Sequence, residues 1–183
     1  AATLSVVAAD VQDRRQERVL ATQVAQLLEF ARERIVGSAV LALVLWVAYF
    51  AASGNRMVLV WAVAMHAVQA AHFVVTWRFH RAGREALTRA RTWLLGYLFT
   101  LGLSAVGWGS SAWVVLPGAD LPTSASLVLT LLALGSAGAY AVAAVRVAIS
   151  LWLLPVLLPL ISWLAMQPGP LALATAALAF AFL

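Results

Sequence analysis

The chain has 183 residues, 64% of them hydrophobic and only 10% charged, with a formal net charge of +5. A soluble domain carries roughly 25% charged residues, and one of this length could not hide so much apolar surface within itself. Lipid must therefore solvate much of the chain. The basic balance does not argue for nucleic acid, because the cations gather at the ends of apolar runs, where anionic headgroups account for them. With no cysteine, disulfides and thiolate metal sites are excluded.

Residues 10–34 predict an amphipathic helix. Val19, Val24, Leu27, Leu28, Ala31 and Ile35 recur at helical spacing, with Arg14, Arg15, Arg18, Glu29, Arg32 and Glu33 between them. Two readings fit: a helix lying in the headgroups, or a cytoplasmic dimerisation or signalling helix. No signal-peptide core precedes it. It passes without Gly or Pro into a first span, about 35–53. Residues 1–34 thus form a cytoplasmic or interfacial segment and 35–183 a membrane bundle.

Gly54-Asn55-Arg56 is a turn, and a second span follows over about 57–77. Next comes a basic loop with Arg78, Arg81, Arg84, Arg89 and Arg91. A third span covers about 93–116 and stops at Pro117-Gly118. Between 125 and 166 the only charge is Arg146. A single helix of that length would be ~63 Å long, twice the hydrocarbon thickness. The stretch must be a hairpin of spans 125–145 and 147–166, with Arg146 at its turn. After Gln167-Pro168-Gly169-Pro170, residues 171–183 begin a sixth span and end within it. Because the chain also starts without Met, it reads as a piece of a longer polypeptide, or as the ordered part of one. The expected fold is an all-α, polytopic bundle of six spans, the sixth truncated.

All twelve cations are arginine, and eleven fall on one side of this pattern: those of the N-terminal segment, the basic loop and Arg146. Arg56 alone falls on the other. By the positive-inside rule the arginine-rich side, with the N-terminus, is cytoplasmic. Trp61, Trp113 and Trp163 lie towards the outer interface and Trp77 and Trp93 towards the inner one. Trp46 and Trp108 are deeper, so packing or a pocket must account for them.

Polar residues at depth are concentrated in the second span. Met65, Gln69, His72 and Thr76 fall within roughly 60° on a helical wheel, with His66 beside them. This face should point into the bundle, as an interhelical hydrogen-bond patch, a ligand pocket or a proton-sensing site. His66, Gln69, His72, Thr76, Trp108 and Arg146 are accordingly the candidate ligand-binding residues. No metal site is expected, since two histidines six apart do not converge on one ion and no carboxylate lies at that depth. Small residues crowd the third span (Gly102, Gly107, Gly109) and the fourth (Gly135, Gly138), as close helix packing requires. Pro155 and Pro159 each remove a backbone donor from the fifth, leaving carbonyls near Leu151 and Pro155 in need of partners; both prolines are hinge candidates. No phosphate loop, hydrolase triad or paired membrane carboxylate is present, so no catalytic residue is assigned and no cofactor is implied.

The order of these features resembles the N-terminal multi-helix membrane input region of bacterial histidine kinases and diguanylate cyclases. The resembling residues are Gln23, Val24, Leu27 and Leu28 in the helix before the first span, and the Arg91-Thr92-Trp93 end of the basic loop. They continue with Gly107-Trp108-Gly109 followed by Pro117, with Gly135 and Gly138 before the turn at Arg146, and with the proline-bearing run 153–159. The turn lacks an expected proline, and Ala105 stands where a glycine is expected. The likeness implies a sensor in the bacterial inner membrane with a cytoplasmic output domain after Leu183, acting as a homodimer. With outer loops this short, the signal should be a small apolar or membrane-borne ligand. The alternatives are a structural subunit of a larger membrane complex and, behind it, a transporter.

Overall fold

The computed structural model describes residues 2–181 and 183; the side chains of residues 1–11, 13, 14 and 84, Arg14 and Arg84 among them, lie outside the described set. The described residues form helices alone: α1 Ala2–Glu29, α2 Ala31–Ser53, α3 Arg56–Ala82, α4 Arg84–Leu87, α5 Ala90–Val115, α6 Leu121–Ala141, α7 Arg146–Ala165 and α8 Pro170–Phe180. Five apolar helices, those ending at Ser53, Ala82, Val115, Ala141 and Ala165, are long enough to cross a membrane. Large apolar side chains cover their outer faces: Val63, Phe99 and Leu129 are each about two-thirds exposed or more. Water would not tolerate so continuous an apolar surface, whereas lipid requires it. The protein is a multi-pass membrane helix bundle.

Helix ends follow local chemistry more closely than hydropathy does. Gly54 closes α2 in the left-handed conformation (φ 62°), its N–H bonded to the Phe50 carbonyl. Asn55 then caps α3 by accepting from the Met57 amide at 2.9 Å. Asp120 caps α6 in the same way through the Thr123 amide at 2.9 Å. The Thr123 side chain and amide hold the Asp120 carboxyl below its ordinary range. Much of the basic loop is helical: α3 continues past Trp77 to Ala82, and α4 supplies one further turn before α5 starts at Ala90. The turn between α6 and α7 occupies residues 142–145, so Arg146 opens α7 rather than forming the bend. At 11 residues α8 rises only ~16 Å, about half of the hydrocarbon core, and packs on α7.

The N-terminal helix breaks from α2 at Phe30 (φ −106°, ψ 14°). Of its predicted apolar stripe, Val24, Leu27, Leu28, Ala31 and Ile35 are buried and Val19 is exposed. Its last turns therefore dock beneath the bundle, against α4 and α5. Two carbonyls there accept side-chain bonds, Leu27 from Arg34 Nη2 just across the break and Leu28 from His80 Nε2 of α3 at 3.1 Å.

Helix α5 is the most buried span and packs on α3 at one side and α7 at the other. Its small residues let both neighbours approach. Against α3, Gly107 meets the Met65 sulfur. On the α7 side, Gly109 lies so near the Pro155 carbonyl oxygen that a Cβ would overlap it. That carbonyl is the one whose helical partner Pro159 removes, because proline has no N–H. The glycine backbone thus covers an oxygen that lipid could not satisfy, with weak Cα–H···O character. Helix α7 runs unbroken through both prolines.

The close approach makes Gly109→Ala a backbone collision, expected to cost about 1–3 kcal/mol as overpacking. Gly37→Ala, where a Cβ meets nothing within 4 Å, is expected to be near neutral. Thermal unfolding of the two variants in one detergent checks the contrast, and equal midpoints would rule out this account of the α5–α7 contact.

Candidate functional site

Ser38, about two turns into α2, is the meeting point of three spans. Its hydroxyl oxygen accepts from Gln69 Nε2 of α3 at 2.6 Å and from the Trp108 indole N–H of α5 at 3.0 Å. Gln69 Nε2 also reaches Ser104 Oγ at 3.3 Å. Trp108 is fully buried and stands edge-on to Trp61, with ring centroids 5.9 Å apart. The Trp61 indole donates in turn to the Gly107 carbonyl at 2.6 Å. The polar face of the second span therefore faces α2 and α5, with Met65, Gln69, His72 and Thr76 all at most 4% exposed.

Beside this network is a cavity of about 270 Å³. Gln69 and His72 of α3 and Tyr97 and Ser104 of α5 form its polar floor, while Ser38 and Arg34 line it from α2. Helices α6 and α7 contribute Leu134, Gly138 and Trp152, which make the opposite wall apolar. The Trp152 indole is locked there: it donates to the Leu134 carbonyl at 3.0 Å and lies against Gly138, where a Cβ would collide with the ring. His72 stacks edge-on against Tyr97 with centroids 4.8 Å apart. Its Nε2 is buried and has no hydrogen-bond partner among the described residues. Leaving such an atom unsatisfied costs about 1–3 kcal/mol. Arg34 lies near both the Tyr97 hydroxyl and His72, so a cationic group borders the floor.

The six candidate ligand residues separate. Gln69 and His72 line the cavity. Trp108 supports it from behind through Ser38. Thr76 is buried but bonds the His72 carbonyl of its own helix at 3.1 Å. His66 is half-buried, and its Nδ1 donates to the Ala62 carbonyl at 2.8 Å, away from the cavity. Arg146 is exposed at the start of α7 and does not line it. The hinge candidates Pro155 and Pro159 face α5 near Gly109 rather than the cavity.

Sequence reasoning passed over Ser38, Arg34, Tyr97 and Trp152. Ser38 is a single small hydroxyl in an apolar run, a residue type common in membrane helices, and Arg34 was absorbed into the basic cluster. The one usable signal was their spacing: Arg34, Ser38 and Leu41 share a helix face.

Among the described residues the cavity holds hydrogen-bonding groups and one cation but no carboxylate, and the chain has no cysteine. Such a set can bind and orient a ligand. No protein-family model, curated protein or solved structure matches the chain.

Removing the shared acceptor should loosen three helices together. Ser38→Ala leaves the Trp108 N–H without a partner and Gln69 with only the longer bond, an expected loss of about 1–3 kcal/mol. Ser104→Ala removes only the 3.3 Å contact and is expected to cost less. Chemical denaturation of both variants in micelles reads the difference; the reverse order would contradict the hub assignment.

Proposed function

We propose that the chain is a membrane-embedded sensory input module. It passes a membrane-borne signal to a cytoplasmic output domain of histidine kinase or diguanylate cyclase type beyond Leu183, within a homodimer in the bacterial inner membrane. The observation that carries this reading is the cavity with the unpartnered His72 Nε2 on its floor. Five of the helices line it, so one occupant would touch α2, α3, α5, α6 and α7 at once. Binding that favours one arrangement of these helices by about 1–3 kcal/mol suffices for a 5–150-fold change in output. The docking of α1 beneath the bundle supports the same reading, since Arg34 both borders the cavity and bonds the Leu27 carbonyl of α1. A change at the cavity therefore has a direct route to the N-terminal helix. The arginine distribution supports a cytoplasmic placement for that end.

Two measurements test this. The coding sequence past Leu183 should continue into an output domain, and in the full-length protein His72→Phe should shift basal output at least fivefold. A stop codon shortly after Leu183 would sink the proposal. For orientation, a periplasm-dependent reporter fused after Gly118 should be active and one fused after Gly83 inactive; the opposite pattern overturns the placement of the N-terminus.

A further inference from the structure

We infer that the cavity binds a fatty acid: one acyl chain bearing a carboxylate, admitted sideways from the leaflet at the arginine-rich end. The inference rests on the sensory reading only for its signalling consequence, not for binding. Access comes from the gap between α2 and α6. Gly37 on α2 and Ala137 on α6 both line the cavity and are both exposed, so small residues flank its mouth. The two helices meet at the other end of the bundle, where Tyr49 and Ser126 bring their hydroxyls to 3.5 Å.

Chemistry inside selects the head. Arg34 carries five N–H donors, one of them on the Leu27 carbonyl, and among the described residues no Asp or Glu lines the cavity to neutralise it. His72 Nε2 and the nearby Tyr97 hydroxyl offer further polar contacts on the floor. A planar carboxylate matches a guanidinium through paired hydrogen bonds, which a neutral alcohol cannot do. Size and lining select the tail. An apolar cavity of roughly 150 Å³ accommodates benzene. At about 270 Å³ this one takes part of one chain along Leu134 and Trp152, not the two chains of a phospholipid. Inorganic anions would leave those apolar walls unfilled, and neutral lipids would leave Arg34 unmatched.

The full-length protein in phosphatidylcholine nanodiscs, irradiated with a palmitate analogue that carries a diazirine on the part of the chain near its carboxylate, tests the site. Label should map to α6 and α7 and be competed by palmitate, with hexadecanol at least about tenfold weaker. Arg34→Gln and His72→Phe should each reduce capture about tenfold. Because Arg34→Gln also loses the bond to α1, Gly37→Trp provides an independent variant. A Cβ there meets nothing within 4 Å, so the indole should block the mouth without moving a helix, and capture should vanish. Equal competition by hexadecanol, unchanged capture in Gly37→Trp, or preference for a single-chain phosphate such as lysophosphatidate would each overturn the assignment. Capture that leaves output unchanged keeps this site and removes the sensory reading. An absence of capture, with output still shifted by His72→Phe, does the reverse.

Discussion

A bilayer offers no hydrogen-bond partner, so every polar group carried into it must find one in the protein. Much of this bundle is arranged around that constraint, and the Ser38 hydroxyl is where it is met most economically. One oxygen receives an amide from α3 and an indole from α5. Three spans are thereby fixed in rotation about their axes, because turning any of them would strand a donor in hydrocarbon. Interhelical hydrogen bonds in membranes average only about 0.6 kcal/mol each. Their value here is in selecting one register among the many that apolar helices would otherwise allow.

Tryptophan serves the same end. Trp61, Trp108 and Trp152 each donate an indole N–H across a helix interface, to Gly107, Ser38 and Leu134. The acceptors of Trp61 and Trp152 are backbone carbonyls, and a glycine accompanies each contact, Gly107 as the acceptor itself and Gly138 beneath the Trp152 ring. Small and very large residues are thus paired: the one makes room, and the other fills the room while supplying a donor. Trp77, by contrast, is nearly half exposed, with the Arg81 guanidinium 5.3 Å from its ring, an interfacial arrangement.

The apolar helices and their order were legible because hydropathy and charge are properties of whole segments, whereas the turn itself falls at 142–145, just before Arg146. So was the buried face of Met65, Gln69, His72 and Thr76, which helical periodicity places on one line. What periodicity cannot give is the partner across the interface. His66 and Arg146 looked chemically apt, yet one is occupied by its own helix and the other sits at a helix start outside the cavity. Ser38 and Trp152 looked ordinary and became central only through neighbours distant in sequence. The prolines show the same limit: the missing donors could be counted, but not the glycine that would cover the Pro155 oxygen.

The meeting of Tyr49 with Ser126 has a mechanical side. It lies at one end of α2 and α6, while the gap flanked by Gly37 and Ala137 lies towards the other. From Ser126 to Ala137 is ~17 Å along a helix. With the far end as fulcrum, a tilt of ~10° carries the near end by ~3 Å over that length. The two helices then behave as tongs: a small rotation where they touch becomes a displacement of nearly an atom's width beside Arg34. That is where α2 meets α1, so the end of the bundle with the greatest leverage is also the end joined to the N-terminal helix.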